Sequence, residues 1–124
     1  MMQEMKENKL CHYEVVLQND AEKDPDIAMG TLVVIGYENG KFFMHIVNWG
    51  AEEDYERSRR GIVEQDWLYN EENTRKLMEH LRVRTGKGLV NKMYRRFKGR
   101  TSPDWAITRY CKERGIEGQY FVHY

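Results

Sequence analysis

The sequence contains few of the residues and motifs that usually mark a catalytic or metal centre. It has 2 cysteines and 2 prolines in 124 residues, and no G-x-S-x-G, H-E-x-x-H, G-x-G-x-x-G or C-x-x-C pattern. None of the 4 histidines pairs with another at the i, i+4 spacing of a helical metal site. We therefore expect no metal, no cofactor and no catalytic residue, and a non-enzymatic role is the favoured interpretation.

Two features suggest chemistry at first sight, and each has a simpler explanation. Carboxylates spaced two apart between Asp20 and Asp26 suggest calcium ligands. However, an EF-hand would need a glycine where Pro25 stands and a glutamate where Thr31 stands. Cys111 falls on the apolar stripe of a predicted helix, which favours a buried core thiol over a nucleophile. We interpret these features as a solvated acidic loop and a core residue.

Long apolar runs are also missing. No stretch approaches the length of a membrane span, and the start, MMQEMKENK, lacks the apolar core of a signal peptide. Two thiols in a chain long enough to bury its own core indicate a reducing compartment. We predict a cytoplasmic protein without membrane contact, with a flexible tail at 1–9 and one domain over 10–124.

The net charge is zero, but the charges are unevenly distributed along the chain. Residues 1–70 carry 7 basic and 14 acidic side chains, whereas residues 71–124 carry 13 basic and 6 acidic ones. Such a split predicts either one face that attracts anions or two halves that screen each other, within the fold or in a dimer.

Apolar periodicity predicts an α+β fold in the order ββββαααβ. We expect an antiparallel meander of four to five strands with three helices packed on one face. The clearest local signal is Asn39-Gly40, which suits a type I′ turn and fixes the hairpin register. It places Tyr37 opposite Phe42, Ile35 opposite Met44, and Val33 opposite Ile46.

The second face of the predicted sheet is unusually apolar. It carries Leu32, Val34, Phe43 and Val47, a set too hydrophobic to leave bare. Either the sheet curls over this face or a second copy of the chain covers it, and the homodimer is slightly favoured.

The most distinctive stretch is residues 82–100, which contains no carboxylate. Leu89, Val90, Met93 and Phe97 recur at helical spacing, and the remaining face is basic. We therefore predict a basic helix over 82–100 whose cationic side chains form an anion-binding surface: Arg82, Arg84, Lys87, Lys92, Arg95, Arg96, Lys98 and Arg100.

This surface predicts a small binding module whose partner is an acidic protein or a nucleic acid backbone. The simpler alternative is a solvated helix face whose rings, Tyr94 and Phe97, belong to the core. A second functional hypothesis is a phosphate nest at Gly86, Lys87 and Gly88 that would hold a phosphorylated small molecule. In this hypothesis the protein could either bind that molecule or act on it as an enzyme. Its structural alternative is a helix end followed by a short turn.

Overall fold

The computed structural model describes residues 12–124, so the predicted tail at 1–9 lies outside the described residues. Over the described part the chain forms five strands and five helices. In chain order these are β1 (His12–Asn19), α1 (Asp20–Lys23), β2 (Gly30–Glu38), β3 (Lys41–Trp49), α2 (Glu52–Arg57), β4 (Ile62–Leu68), α3 (Glu71–Leu81), α4 (Gly86–Phe97), α5 (Pro103–Glu113) and β5 (Gln119–His123).

The strands form one antiparallel sheet in the order β1-β2-β3-β4-β5, which confirms an α+β fold with an antiparallel sheet. The β2–β3 register is the predicted one, with Tyr37 opposite Phe42 and Val33 opposite Ile46. Asn39 and Gly40 both have positive φ, 52° and 84°, as a type I′ turn requires. The two-residue turn therefore sets the register, as expected from the sequence.

The predicted element order ββββαααβ is wrong, because two short helices interrupt the strands. In α1 the Asn19 side chain accepts a hydrogen bond from the Ala21 N–H at 3.1 Å. In α2 the Asp54 carboxylate accepts one from the Ala51 N–H at 3.1 Å. Both helices are held by local side-chain hydrogen bonds at their N-termini. They are too short and too charged to show an apolar period, so the sequence suggests loops there.

One buried cluster joins strand and helix residues. The inward side chains of β2 and β3 lie in the same cluster as apolar residues of α3, α4 and α5, including Leu77, Leu89 and Ile107, each 0% exposed. Among residues 12–124 no helix is long and apolar enough to cross a bilayer. The cluster holds the buried side of α4 against the sheet and leaves its basic side outward.

Thr74 is a buried polar residue that connects α3 to the sheet. Its hydroxyl accepts a hydrogen bond from the Phe42 N–H at 2.9 Å and donates one to the Tyr69 carbonyl at 3.1 Å. The side chain is 1% exposed, so water cannot replace either partner. The hydroxyl therefore supplies two hydrogen bonds inside the core.

Replacing Thr74 with valine keeps the shape and removes both hydrogen bonds. We expect the free energy of unfolding to fall by about 2 kcal/mol, because a buried N–H and a buried carbonyl lose their partner. Thr74→Ser keeps the hydroxyl and should cost less. Urea unfolding of both variants tests this, and a valine variant as stable as the serine variant would contradict it.

Candidate anion-binding surface

The helix within the basic stretch is shorter than predicted. It runs from Gly86 to Phe97, and the Thr85 hydroxyl caps it by accepting a hydrogen bond from the Gly88 N–H at 2.9 Å. Arg82 ends α3 in the left-handed conformation, with φ of 56°. Consequently Arg82 and Arg84 precede α4, and Lys98 and Arg100 follow it, so the cations extend beyond both helix ends.

The two sides of α4 separate as the periodicity predicts. Leu89, Val90, Met93 and Phe97 are buried. Of the eight cations, Lys92 is half-buried and the others are exposed: Arg82, Arg84, Lys87, Arg95, Arg96, Lys98 and Arg100. Within residues 12–124, none of the eight lies within salt-bridge distance of a carboxylate. The surface is therefore a set of cations that form no salt bridge with a carboxylate in this part of the chain.

Lys92 has a structural contact that the sequence did not indicate. Its Nζ donates a hydrogen bond to the Leu81 carbonyl at 2.7 Å. Leu81 is the last residue of α3, so this cation satisfies a carbonyl at the end of that helix and links it to α4. Lys92 is accordingly the least available of the eight for an external partner.

Four of the remaining cations lie over aromatic rings. Lys87 is 5.5 Å from the centroid of Tyr13, and Lys98 is 5.6 Å from that of Tyr94. The Arg96 and Arg100 guanidinium carbons lie 4.8 Å and 5.2 Å from the centroids of Tyr110 and Phe97. Cation–π contacts restrict these side chains without neutralising their charge, so the cations remain able to attract an anion.

The predicted phosphate nest lies at the first turn of α4. A Cβ added to the buried Gly86 would come within 2.1 Å of the Tyr37 ring, so only glycine fits the close contact there. The Gly88 N–H already donates to Thr85, as described above. The nest thus has one amide fewer for a ligand, and its ligand remains a prediction.

A second pair of arginines, Arg109 in α5 and Arg114 directly after it, was not included in the predicted site. The rings of Phe97 and Tyr110 meet edge to face, with centroids 5.7 Å apart. This contact brings α4 beside α5, and the groove between them has a volume of about 330 Å³. Its lining includes Arg96 and Arg100 on one side and Arg109 and Arg114 on the other, together with Phe97, Trp105, Ala106, Tyr110 and Glu113.

The sequence carries a weak signal for these two arginines. Arg109 follows Trp105 by four positions, and Arg114 follows Tyr110 by four. Residues at this spacing lie on the same side of a helix, which is how Arg109 reaches the Trp105 ring. Arg114 caps the end of α5 and lies over the Tyr110 ring. Their position beside α4 depends on tertiary packing, which the sequence did not reveal.

Histidines and carboxylates meet on one face of the sheet, the one that carries Val34, Phe43 and His45, which we call the open face. Asp66 contacts His45 Nδ1 at 2.7 Å through Oδ1 and His123 Nε2 at 3.3 Å through Oδ2. These residues share a concavity of about 600 Å³ with the apolar side chains of Val34, Phe43, Leu68 and Phe121. No group of His, Cys, Asp and Glu side chains among residues 12–124 is arranged to hold a metal ion.

At one edge of this face His12 lies between Glu14 and Glu38. The pKa of His12 is raised above its usual value, mainly by the hydrogen bond to Glu14. Desolvation opposes this increase, and the hydrogen bond to Glu38 adds a smaller one. The histidine and its partners are exposed, so this pairing has little effect on stability.

Cys111 lies in the core, where the sequence places it. Burial is the largest cause that raises the pKa of the Cys111 thiol, to about 11. The thiol is therefore protonated at neutral pH, whereas an activated nucleophile needs a lowered pKa.

We expect a Cys11→Ser variant to react very slowly with a thiol reagent in the native state, even at pH 9. Unfolding in urea should release the reactivity of Cys111, because the thiol then regains an ordinary pKa and becomes accessible. Absorbance with a disulfide reagent measures both rates. Rapid labelling of the native variant would show that Cys111 is neither buried nor protonated.

Comparisons of this chain with protein-family models, with curated proteins and with solved structures found no match.

Proposed function

We propose that this protein is a small non-enzymatic binding module that engages an anionic partner through the basic surface of residues 82–100. One observation supports this most strongly. Eight cations lie within nineteen consecutive positions, and none has a carboxylate partner among residues 12–124. Like charges gathered in this way repel each other, and an anionic partner relieves the repulsion.

A nucleic acid backbone suits this surface better than an acidic protein. The 12 residues of α4 extend over about 18 Å, with exposed cations before, along and after the helix. A phosphate backbone presents regularly repeated negative charges over such a length. The partly exposed rings of Tyr94 and Tyr110 beside Lys98 and Arg96 add a feature that nucleic acids use and carboxylates do not. An acidic protein surface is the other outcome that the experiment below distinguishes.

The proposal also covers the packing of the helices, the location of the protein and its oligomeric state. In it, the three long helices pack on one face of the sheet, and the basic side of α4 points away from the sheet. The protein meets its partner in the cytoplasm, without membrane contact. A homodimer, in which a second copy covers the apolar part of the open sheet face, is compatible with this binding.

The second candidate is a phosphorylated small molecule at Gly86, Lys87 and Gly88. The position of these residues at the N-terminus of a 12-residue helix favours it, because that end carries a partial positive charge. Arg82 and Arg84 are exposed in the preceding segment and add positive charge. Such a ligand would raise the melting temperature, and replacing Lys87 alone would abolish its effect.

A salt series tests the main proposal. Fluorescence anisotropy with labelled single-stranded and duplex oligonucleotides should show binding at low salt. The logarithm of the binding constant should then fall linearly with the logarithm of the salt concentration. A salt-independent affinity, or no binding at the lowest salt, would contradict a nucleic acid partner. In the latter case the same assay with a polyglutamate peptide tests an acidic protein surface.

A further inference from the structure

We infer that the partner is a single-stranded nucleic acid. Its phosphates bind the arginines of the groove between α4 and α5, and one of its bases stacks on the Trp105 ring. This inference rests on the proposed function. It extends the site to α5 and specifies which kind of nucleic acid the surface accepts.

The first support is the charge of the groove between α4 and α5. Among residues 12–124, four arginines line it, and Glu113 is the one carboxylate in the lining. Glu113 Oε1 lies 3.7 Å from Arg109 Nε, and both side chains are largely exposed. Within residues 12–124 the other three arginines have no acidic partner, so the groove keeps a strong positive charge.

The second support is the orientation of these arginines. The guanidinium carbons of Arg96 and Arg114 lie 4.8 Å and 3.6 Å from the centroid of the same ring, Tyr110. Arg114 also donates a hydrogen bond from Nη1 to the Tyr110 carbonyl at 3.0 Å. A guanidinium positioned over a ring keeps its remaining N–H donors at its edge, where they can bind a phosphate in two places. Both guanidinium groups already lie over the ring without a ligand.

The third support is the exposure of Trp105 in the first turn of α5. Its side chain is 60% exposed, and Arg109 lies over the ring with its guanidinium carbon 5.3 Å from the centroid. Trp105 and Arg109 line both the groove and a neighbouring concavity of about 680 Å³, which also contains Lys112 and one carboxylate, Glu117. A chain that leaves the groove therefore passes over an accessible indole ring and reaches a further cation.

These features fit a single strand better than a duplex or an acidic peptide. The bases of a duplex are stacked inside the helix, where an indole on the protein surface cannot reach them. A single strand offers unstacked bases, and stacking on an aromatic side chain contributes to its binding without sequence preference. An acidic peptide would use the arginines but would gain little from the ring.

The experiment compares Trp105→Ala and Trp105→Phe with the wild-type protein by anisotropy. The probes are oligo-dT and oligo-U of about 20 nucleotides and a duplex of the same length. Tyr55→Ala is the matched control, because Tyr55 is 59% exposed and lies in α2, outside the groove lining. Circular dichroism establishes that each variant is folded.

We expect Trp105→Ala to weaken single-strand binding about tenfold, and Trp105→Phe and Tyr55→Ala to stay within about twofold of wild type. Comparison of oligo-dT with oligo-U distinguishes DNA from RNA as the source of the strand. If the wild-type protein binds a single strand but Trp105→Ala binds equally well, or if the duplex is preferred, this inference is wrong and the proposed function stands. If no oligonucleotide binds at low salt, the nucleic acid partner is wrong as well.

Discussion

Gly50→Ala is expected to lower the free energy of unfolding by about 3 kcal/mol or more, the largest single-residue loss that we predict. Gly50 has φ of +82°, and a Cβ there would lie 1.8 Å from the Ala28 carbonyl oxygen. The strained backbone costs about 1–2 kcal/mol, and displacing the segment around Ala28 adds about 1–3 kcal/mol. Because the obstacle is backbone, no side-chain rotation relieves the overlap.

Gly115→Ala provides the matched control for Gly50→Ala. Gly115 has φ of +71°, and apart from its chain neighbours no atom of residues 12–124 lies within 4 Å of the position of an added Cβ. Its replacement should therefore cost only the conformational strain, about 1 kcal/mol. Urea unfolding monitored by circular dichroism gives both values. Equal losses in the two variants would show that the close contact between Gly50 and Ala28 does not exist.

The double reversal Arg95→Glu/Arg96→Glu is expected to weaken oligonucleotide binding about a hundredfold at low salt, or about 2.7 kcal/mol. Both side chains are exposed, and within residues 12–124 neither forms a salt bridge with a carboxylate. The change removes two cations from the centre of the proposed surface and adds two anions there. The salt dependence of the remaining binding should also become shallower, because fewer counterions are released.

Arg59→Glu/Arg60→Glu is the matched control for this reversal. It makes the same chemical change at two adjacent exposed arginines, which lie between α2 and β4. We expect its affinity to stay within about threefold of wild type, because these two arginines lie outside the proposed surface and would make no phosphate contact. Equal weakening by the two double variants would indicate a response to net charge alone, without a defined surface.

The parts of the fold that could be predicted are those with local determinants. The β2–β3 register follows from Asn39-Gly40, whose two-residue turn leaves one pairing for the flanking strands. The helices α1 and α2 were missed because their stabilising hydrogen bonds come from single polar side chains, without an apolar stripe. Short capped segments of this kind resemble charged loops in a sequence.

The candidate site could be predicted only in part, for a similar reason. The cations of residues 82–100 are contiguous in sequence, and their helical spacing separates the basic side from the buried one. Arg109 and Arg114 join them only because Phe97 packs against Tyr110, a contact between two helices. The meeting of His45 and His123 at Asp66 likewise requires β5 to pair with β4, which no local pattern specifies.

The most direct test of the central claim is to locate the contact on the protein itself. We would titrate the ¹⁵N-labelled chain with oligo-dT at low salt and follow the amide shifts by NMR. The proposed surface predicts that the changes concentrate in residues 82–100 and in α5. Changes confined to the open sheet face around His45 and His123, or no changes at all, would contradict an anion-binding role for the basic surface.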